Sequence, residues 1–375
     1  MPATHRRRTA GLAVAALAAL TGAAAPAGAA PSGTGSAQAL RGASAPGLSQ
    51  VSQVSEVARL DAAAQSAALA YWTPERIAAA RPAPAPRPVA GEGAQQPVEQ
   101  PVEQPAQEPA AGGGAVQPRA AAGTPVVPRR ERSTAGEVTG AAVSVSAPWR
   151  GGAAVRPKVG RLLFTQGGTP YECSASSVRA GNASVLVTAG HCLTDGGRDS
   201  TNVVYLPGLD GAATPLGRWS AVRTFTTAQW REEDQNTPAA LNHDVGFVVV
   251  GRQDGAALAD RAGAFELAFD APLERVTVFG YPAAGPGSDG TTLQHCTGWR
   301  FPDEGGTTDQ GTLCDMASGS SGGPWLSRFD PVAGTGTVTS VVSFSYGHAP
   351  ERLYGPRLGA VEREVFERAA AVPVP

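Results

Sequence analysis

The residues best suited to chemistry form one short run, Gly319, Ser320, Ser321, Gly322, Gly323 and Pro324. A serine flanked by glycines can sit on a tight turn with its hydroxyl exposed and backbone N–H groups free to converge on a carbonyl oxygen. Alone the run is ambiguous, because Gly/Ser-rich turns are common in loops with no chemistry. A hydroxyl is also a poor nucleophile until an imidazole accepts its proton. One histidine is well framed for that role, since the apolar stretch Val185, Leu186, Val187 runs into Thr188, Ala189, Gly190, His191 and Cys192. His5 lies in the N-terminal leader, and His243, His295 and His348 sit in turn-like sequence that should face solvent.

The elements that must position these residues read as strands. From Val155 onward, short runs of β-branched and aromatic residues alternate with Gly, Pro, Asp and Asn clusters. Strands are expected at 161–164, 184–188, 202–205, 245–250, 275–279, 325–327 and 338–344. Helical periodicity returns only at 358–371, where Val361, Val365 and Phe366 mark one face. The expectation is an all-β core closed by one C-terminal helix.

The pairing of Thr188-Ala189-Gly190-His191-Cys192 with the later Gly-x-Ser-Gly-Gly-Pro run resembles the signature of trypsin-like and chymotrypsin-like serine peptidases. Gly319 to Gly323 also satisfies the Gly-x-Ser-x-Gly elbow of α/β-hydrolases, but His before Ser is the peptidase order, and the α/β alternation of a hydrolase is absent. The resemblance covers about residues 155–360. It implies two six-stranded antiparallel β-barrels with the active site between them and no metal or organic cofactor. Between the two motifs, His243, Asp244, Val245, Gly246, Phe247 and Val248 look like the family's aspartate leading into a buried strand, with Asp234 and Asp254 as weaker rivals.

Carried onto these positions, the family mechanism makes Ser321 the nucleophile, His191 the proton shuttle and Asp244 the orienting acid. The amides of Gly319 and Ser321 would form the oxyanion hole, Ser343 would support the aspartate, and Phe344 and Ser345 would line the cleft. Ser320 stands where trypsin-like zymogens carry an aspartate, and a neutral hydroxyl cannot pair with a new N-terminus. That departure, together with Phe279, Gly280, Tyr281 and Pro282, resembles the bacterial branch that includes V8-type glutamyl endopeptidases. Specificity divides the two resemblances. Asp315, six residues before Ser321, matches the acid that attracts Arg or Lys in trypsin, whereas an anionic floor would repel the side chain a glutamyl endopeptidase takes. The alternative of another class is a catalytically inactive binding protein of the same fold, for which the triad and glycine framework would be unnecessary.

The rest of the 375 residues bounds the setting. Residues 1–29 read as a signal peptide: Arg6, Arg7 and Arg8, an apolar run at 12–20, then Ala27 and Ala29 spaced for cleavage. The apolar run is too short for a membrane span. Residues 30–150 are rich in Ala, Pro, Gly and Gln, with a Pro-Val-Glu-Gln repeat from Pro97, and are expected to be a largely disordered propeptide or linker. Within it, 51–80 has helix-like spacing at Val54, Val57, Ala58 and Leu60, and a second helix start at Thr73 and Pro74. Residues 151–375 are the expected peptidase domain. The four cysteines suit an exported chain with two disulfides; of the three possible pairings the local one, Cys173 with Cys192 and Cys296 with Cys314, is expected, because each bridge would staple a loop beside a candidate catalytic residue. A net charge of −2 with scattered basic residues argues against nucleic acid. The expected partners are protein or peptide substrates of a secreted, extracellular, monomeric enzyme with no stable membrane insertion.

Overall fold

The computed structural model describes residues 52–88, 144–285 and 288–374. The expected signal peptide and the Pro-Val-Glu-Gln repeat lie outside the described residues.

Two β-systems dominate. The first contains β4 (Val159–Gln166), β5 (Thr169–Val178), β6 (Val185–Thr188), β9 (Thr201–Pro207), β10 (Trp219–Thr227) and β11 (Gly246–Val250). Their antiparallel pairings run β10-β11-β6-β5-β4-β9, and β9 pairs back onto β10, so the ring is closed. A barrel with no open edge is one answer to the exposed hydrogen-bonding groups of a sheet. Between β6 and β9, β7 (Thr194–Asp195) and β8 (Arg198–Asp199) make a small hairpin. The second system is built on β13 (Arg275–Gly280), β14 (Gln294–Pro302), β15 (Gln310–Leu313), β16 (Pro324–Asp330), β17 (Thr335–Val341) and β18 (Arg352–Gly355). Its pairings run β17-β16-β13-β14-β15-β18, and a bridge between Phe344 and Tyr354 draws its two ends together. The short strands β3 (Ala147–Pro148) and β12 (Glu266–Leu267) add to β14 and β17. Three short helices, α3 (Ala228–Glu232), α4 (Pro238–Leu241) and α5 (Leu258–Ala262), fill the connections on either side of β11.

Strand alternation builds the cores. On β4, Leu162 and Phe164 join one apolar cluster with Leu186, Tyr205, Trp219 and Val248, while Leu163 joins another with Val187, Phe247, Phe279 and Leu326. The period of two sends neighbouring side chains to opposite faces, so both faces of β4 are covered. The second cluster also takes in helix α6 (Ala360–Ala370), whose Val365 and Ala369 are buried and whose Phe366 ring lies 5.7 Å from that of Phe247. Asn182 Nδ2 donates to the carbonyls of Ala369 and Val372 and so ties the end of this helix to the first barrel. The expected strands and terminal helix are all present. Strands β5, β10, β14, β15 and β18 are additions that composition did not announce.

Residues 52–88 correct one expectation. The valines near 54 do not form a helix: β1 (Val54–Arg59) pairs antiparallel with β10, extending the first barrel outward. The helix α1 (Ala62–Tyr71) starts later, with Asp61 Oδ1 accepting from Ala64 N at 2.8 Å. Pairing with Arg223–Thr227 of β10, beyond the stretch at Trp219 and Ser220 where β10 meets β9, gives these residues a ladder of hydrogen bonds that an isolated weak helix cannot match. The second start is where expected: Thr73 caps α2 (Pro74–Ala79), with Pro74 in its first turn. Trp72 between the two helices is fully buried, its Nε1 donating to Asn202 O at 2.6 Å. Finally β2 (Arg81–Pro82) runs parallel to β5.

Candidate active site

His191 sits in a 3-10 turn, Gly190–Cys192, that follows β6 directly. The Cys173–Cys192 disulfide fastens this turn to β5, and Gln166 Nε2 donates to His191 O at 3.0 Å. Asp244 is delivered by a different device. Helix α4, capped by Thr237, ends in a turn where Asp244 N donates to Leu241 O, and β11 begins two residues later. Thr226 Oγ1 and Thr227 Oγ1 donate to Val245 O and His243 O, holding that turn against β10.

The two meet in a buried contact. Asp244 Oδ2 lies 2.8 Å from His191 Nδ1, and Oδ1 accepts the His191 backbone amide at 2.8 Å. Ser343 Oγ donates to the same Oδ2 at 2.5 Å. Asp244 is fully buried, and a buried carboxylate with this many donors is held in one orientation. Its grip leaves His191 Nε2 buried and without a hydrogen-bond partner among the described residues.

Ser321 lies in the loop between β15 and β16. Within that loop the amides of Ser320, Gly322 and Gly323 donate to Ala317 O, Val342 O and Ser320 O. The amides of Gly319 and Ser321, the pair expected to hold an oxyanion, have no such acceptor among the described residues. Gly319 has φ +99°, and a Cβ there would stand 2.7 Å from Tyr281 O. At Gly322, with φ +79°, a Cβ would fall 2.4 Å from Ser174 O and closer still to Thr188 Oγ1. The Gly322 contacts bring the serine loop against the end of β6, the strand that leads into His191. Among the described residues no hydrogen bond joins His191 Nε2 to the Ser321 hydroxyl.

Ser174 organises the site although no motif in the sequence singles it out. Its amide donates to Ser321 O at 2.7 Å and its hydroxyl to Gly319 O at 2.9 Å, while the same hydroxyl accepts Tyr281 N at 2.9 Å. The available signal was its position next to Cys173, whose disulfide ends beside His191. Ser320 Oγ donates to Ala317 O, a loop-internal contact. His243, expected to face solvent, instead lies 2.6 Å through Nδ1 from Glu362 of α6. His295, also expected in solvent, is half-buried against Trp149 and Phe279, and burial pushes its pKa down.

Beside Ser321 is a cavity of about 670 Å³ whose walls include Ser343, Phe344 and Ser345 together with Met316, Ala317, Val342 and Leu353. Asp315 is not among the lining residues. It is half-buried, and its Oδ1 accepts the backbone amide of Ser146 at 2.6 Å, because β3 brings the chain near residue 146 alongside β14. The Cys296–Cys314 disulfide, formed as expected, ends one residue before it. The one cluster of metal-ligand types among the described residues, Cys173, His191 and Cys192, consists of a disulfide and the imidazole already described.

Comparison with protein-family models gives no match, and comparison with curated proteins gives none. Comparison with solved structures does. The chain is 34% identical to the protease Anisep from Arthrobacter nicotinovorans, over 60% of this chain and 100% of that one, with a TM-score of 0.55. It is 32% identical to a thermostable serine protease, AL20, from an extremophilic microorganism, over 58% of this chain and 99% of that one, with a TM-score of 0.54. With its barrel architecture and a likeness that runs through nearly the whole length of both proteases, the chain belongs to the chymotrypsin-fold serine proteases.

Proposed function

We propose that the chain is an endopeptidase in which Ser321 attacks the scissile carbonyl while His191 Nε2 takes the hydroxyl proton and returns it to the leaving amine. Asp244 fixes the imidazole tautomer, with the Nδ1 proton pointed at Oδ2, and stabilises the imidazolium that forms. The tetrahedral oxyanion is received by the amides of Gly319 and Ser321, and water then releases the acyl group by the same path. The observation that carries this reading is the Asp244 carboxylate, bound at once by His191 Nδ1, the His191 amide and Ser343 Oγ. A merely structural aspartate would not leave a buried imidazole nitrogen unpartnered beside a serine loop with two spare amides.

For specificity, the cavity favours a neutral side chain at the cleavage site over Arg, Lys or Glu. The barrel residues lining it offer methyl and methylene surface from Met316, Ala317, Val342 and Leu353, with hydroxyls of Ser318, Ser343 and Ser345. Neither a carboxylate nor a cation from the barrel faces it among the described residues. With Arg87 of the N-terminal segment, the one charged residue lining the cavity, out of the way, a charged side chain would lose hydration there without gaining a partner. Export fits the pairing of all four cysteines, and among the described residues no helix is long and apolar enough to cross a membrane.

A serine-directed phosphonate followed by cleavage profiling on a mixed peptide library tests both parts. Ser321 should carry the adduct, Ser321→Ala should lose about 10⁶-fold in turnover, and the cuts should follow uncharged residues. Absence of an adduct favours a binding protein of this fold. Cuts after Arg or Lys return Asp315 to the pocket, and cuts after Glu support the glutamyl alternative.

A further inference from the structure

The cavity beside Ser321 has a second wall. Residues 84–88, Pro84, Ala85, Pro86, Arg87 and Pro88, line it together with Ser343 and Ser345. They are carried there by elements bound to the first barrel: β1 on the edge of β10, buried Trp72, and β2 on β5. Arg218 donates to Trp72 O at 2.7 Å, and the amide of the buried Ala83 donates to Glu172 O at 3.0 Å, one residue before the Cys173 disulfide. Past this point the segment is half-exposed and passes over the cleft, where Arg87 N donates to Asn236 Oδ1 at 3.0 Å. Ser321 itself is only 3% exposed.

We propose that residues 84–88 are a built-in, cleavage-resistant occupant of the substrate cleft, and that the surface formed by β10, β5 and the Ser321 cavity is a docking site for this chain's own segment 52–88. The proposal rests on the peptidase reading above. Its chemistry lies in the prolines. An extended substrate binds by offering N–H groups to a strand edge at every second residue. Pro84, Pro86 and Pro88 occupy alternate positions, so one whole edge of this segment has no donor to offer. Of the other edge, the Arg87 donor is taken by Asn236. Every peptide bond from residue 83 to residue 88 has proline on one side, so each scissile geometry would need either a ring-constrained acyl residue or a ring nitrogen as leaving group. A peptide anchored on β10, on β5 and at Asn236, and lacking a usable bond, blocks the cleft without being consumed.

The test uses the full chain and the labelling rate of Ser321 by a serine-directed phosphonate. The wild-type chain should label slowly. Replacing Pro84, Pro86 and Pro88 together by glycine should raise the rate by about tenfold or more and open the segment to cutting within 83–88, visible as new termini by mass spectrometry. Asn236→Ala, which removes one tether in an exposed loop, should give a smaller rise and guards against misfolding of the triple variant. If wild type labels as fast as both variants, the proposal is overturned and the peptidase reading stands. If no chain is labelled under any condition, both fall.

Discussion

Among single residues, the site depends on groups whose freedom has been removed. Asp244 has no latitude once His191 and Ser343 hold its oxygens, and the Gly319 amide points where it does because a positive φ sets the plane of the peptide. Gly319→Val places a side chain within 2.7 Å of Tyr281 O, so the peptide must rotate or the loop must shift. Turnover should fall by about 10²–10³, the loss typical of one oxyanion donor, while KM changes little and the melting transition stays cooperative. Steady-state kinetics on a peptide amide checks it; an unchanged kcat would remove Gly319 from the proposed machinery. Asp244→Asn should be harsher, with about a 10⁴-fold loss in kcat, because the amide favours the wrong imidazole tautomer. Single-turnover acylation rates separate this from a binding defect.

Among the elements, two short turns and one disulfide do most of the positioning. The turn after β6 presents His191, the turn after α4 presents Asp244, and Cys173–Cys192 stops the first from drifting off β5. The N-terminal elements use a different anchor. Trp72 contributes a large apolar surface and one hydrogen bond to the attachment of β1, α1 and α2. Its replacement by alanine should weaken that attachment by about 3–5 kcal/mol. Amide hydrogen exchange should then quicken across residues 54–82 while β5, β6 and β11 keep their protection. Uniform quickening throughout the barrel would mean that the segment is part of the core.

Across the molecule as a whole, the charge pattern beneath the site has a thermodynamic cost. Asp309 is buried, with neither carboxylate oxygen partnered among the described residues, and burial followed by the charges of Asp244, Asp303 and Glu362 pushes its pKa well above the usual range. A carboxyl with a raised folded-state pKa holds a proton that the unfolded chain releases near a pH of about 3.9. The associated stability is complete below that pH and is lost as the pH rises toward the folded value. Asp309→Asn, which keeps the shape without the ionisation, should flatten this loss. Melting temperatures at about pH 4, 6 and 8 should fall with rising pH more steeply in wild type than in the variant. Parallel curves would show that Asp309 is not the group responsible.

Membership of the serine proteases is legible in the sequence itself. The residues around His191 and Ser321 carry their own turn geometry in glycines, small residues and a cysteine, and the apolar runs at β4, β6, β11 and β13 declare themselves by composition. Strands without that texture stayed hidden: β5 is serine-rich where the serine loop packs against it, and β18, Arg352–Gly355, has no β-branched residue. Which distant groups meet was settled only by packing. Closure of the sheets put Ser174 under the serine loop, turned Asp315 toward Ser146, paired His243 with Glu362 and made β1 a strand on the β10 edge. Local sequence encodes conformational preference over a few residues, whereas partners separated by a hundred positions are chosen by how two curved sheets pack.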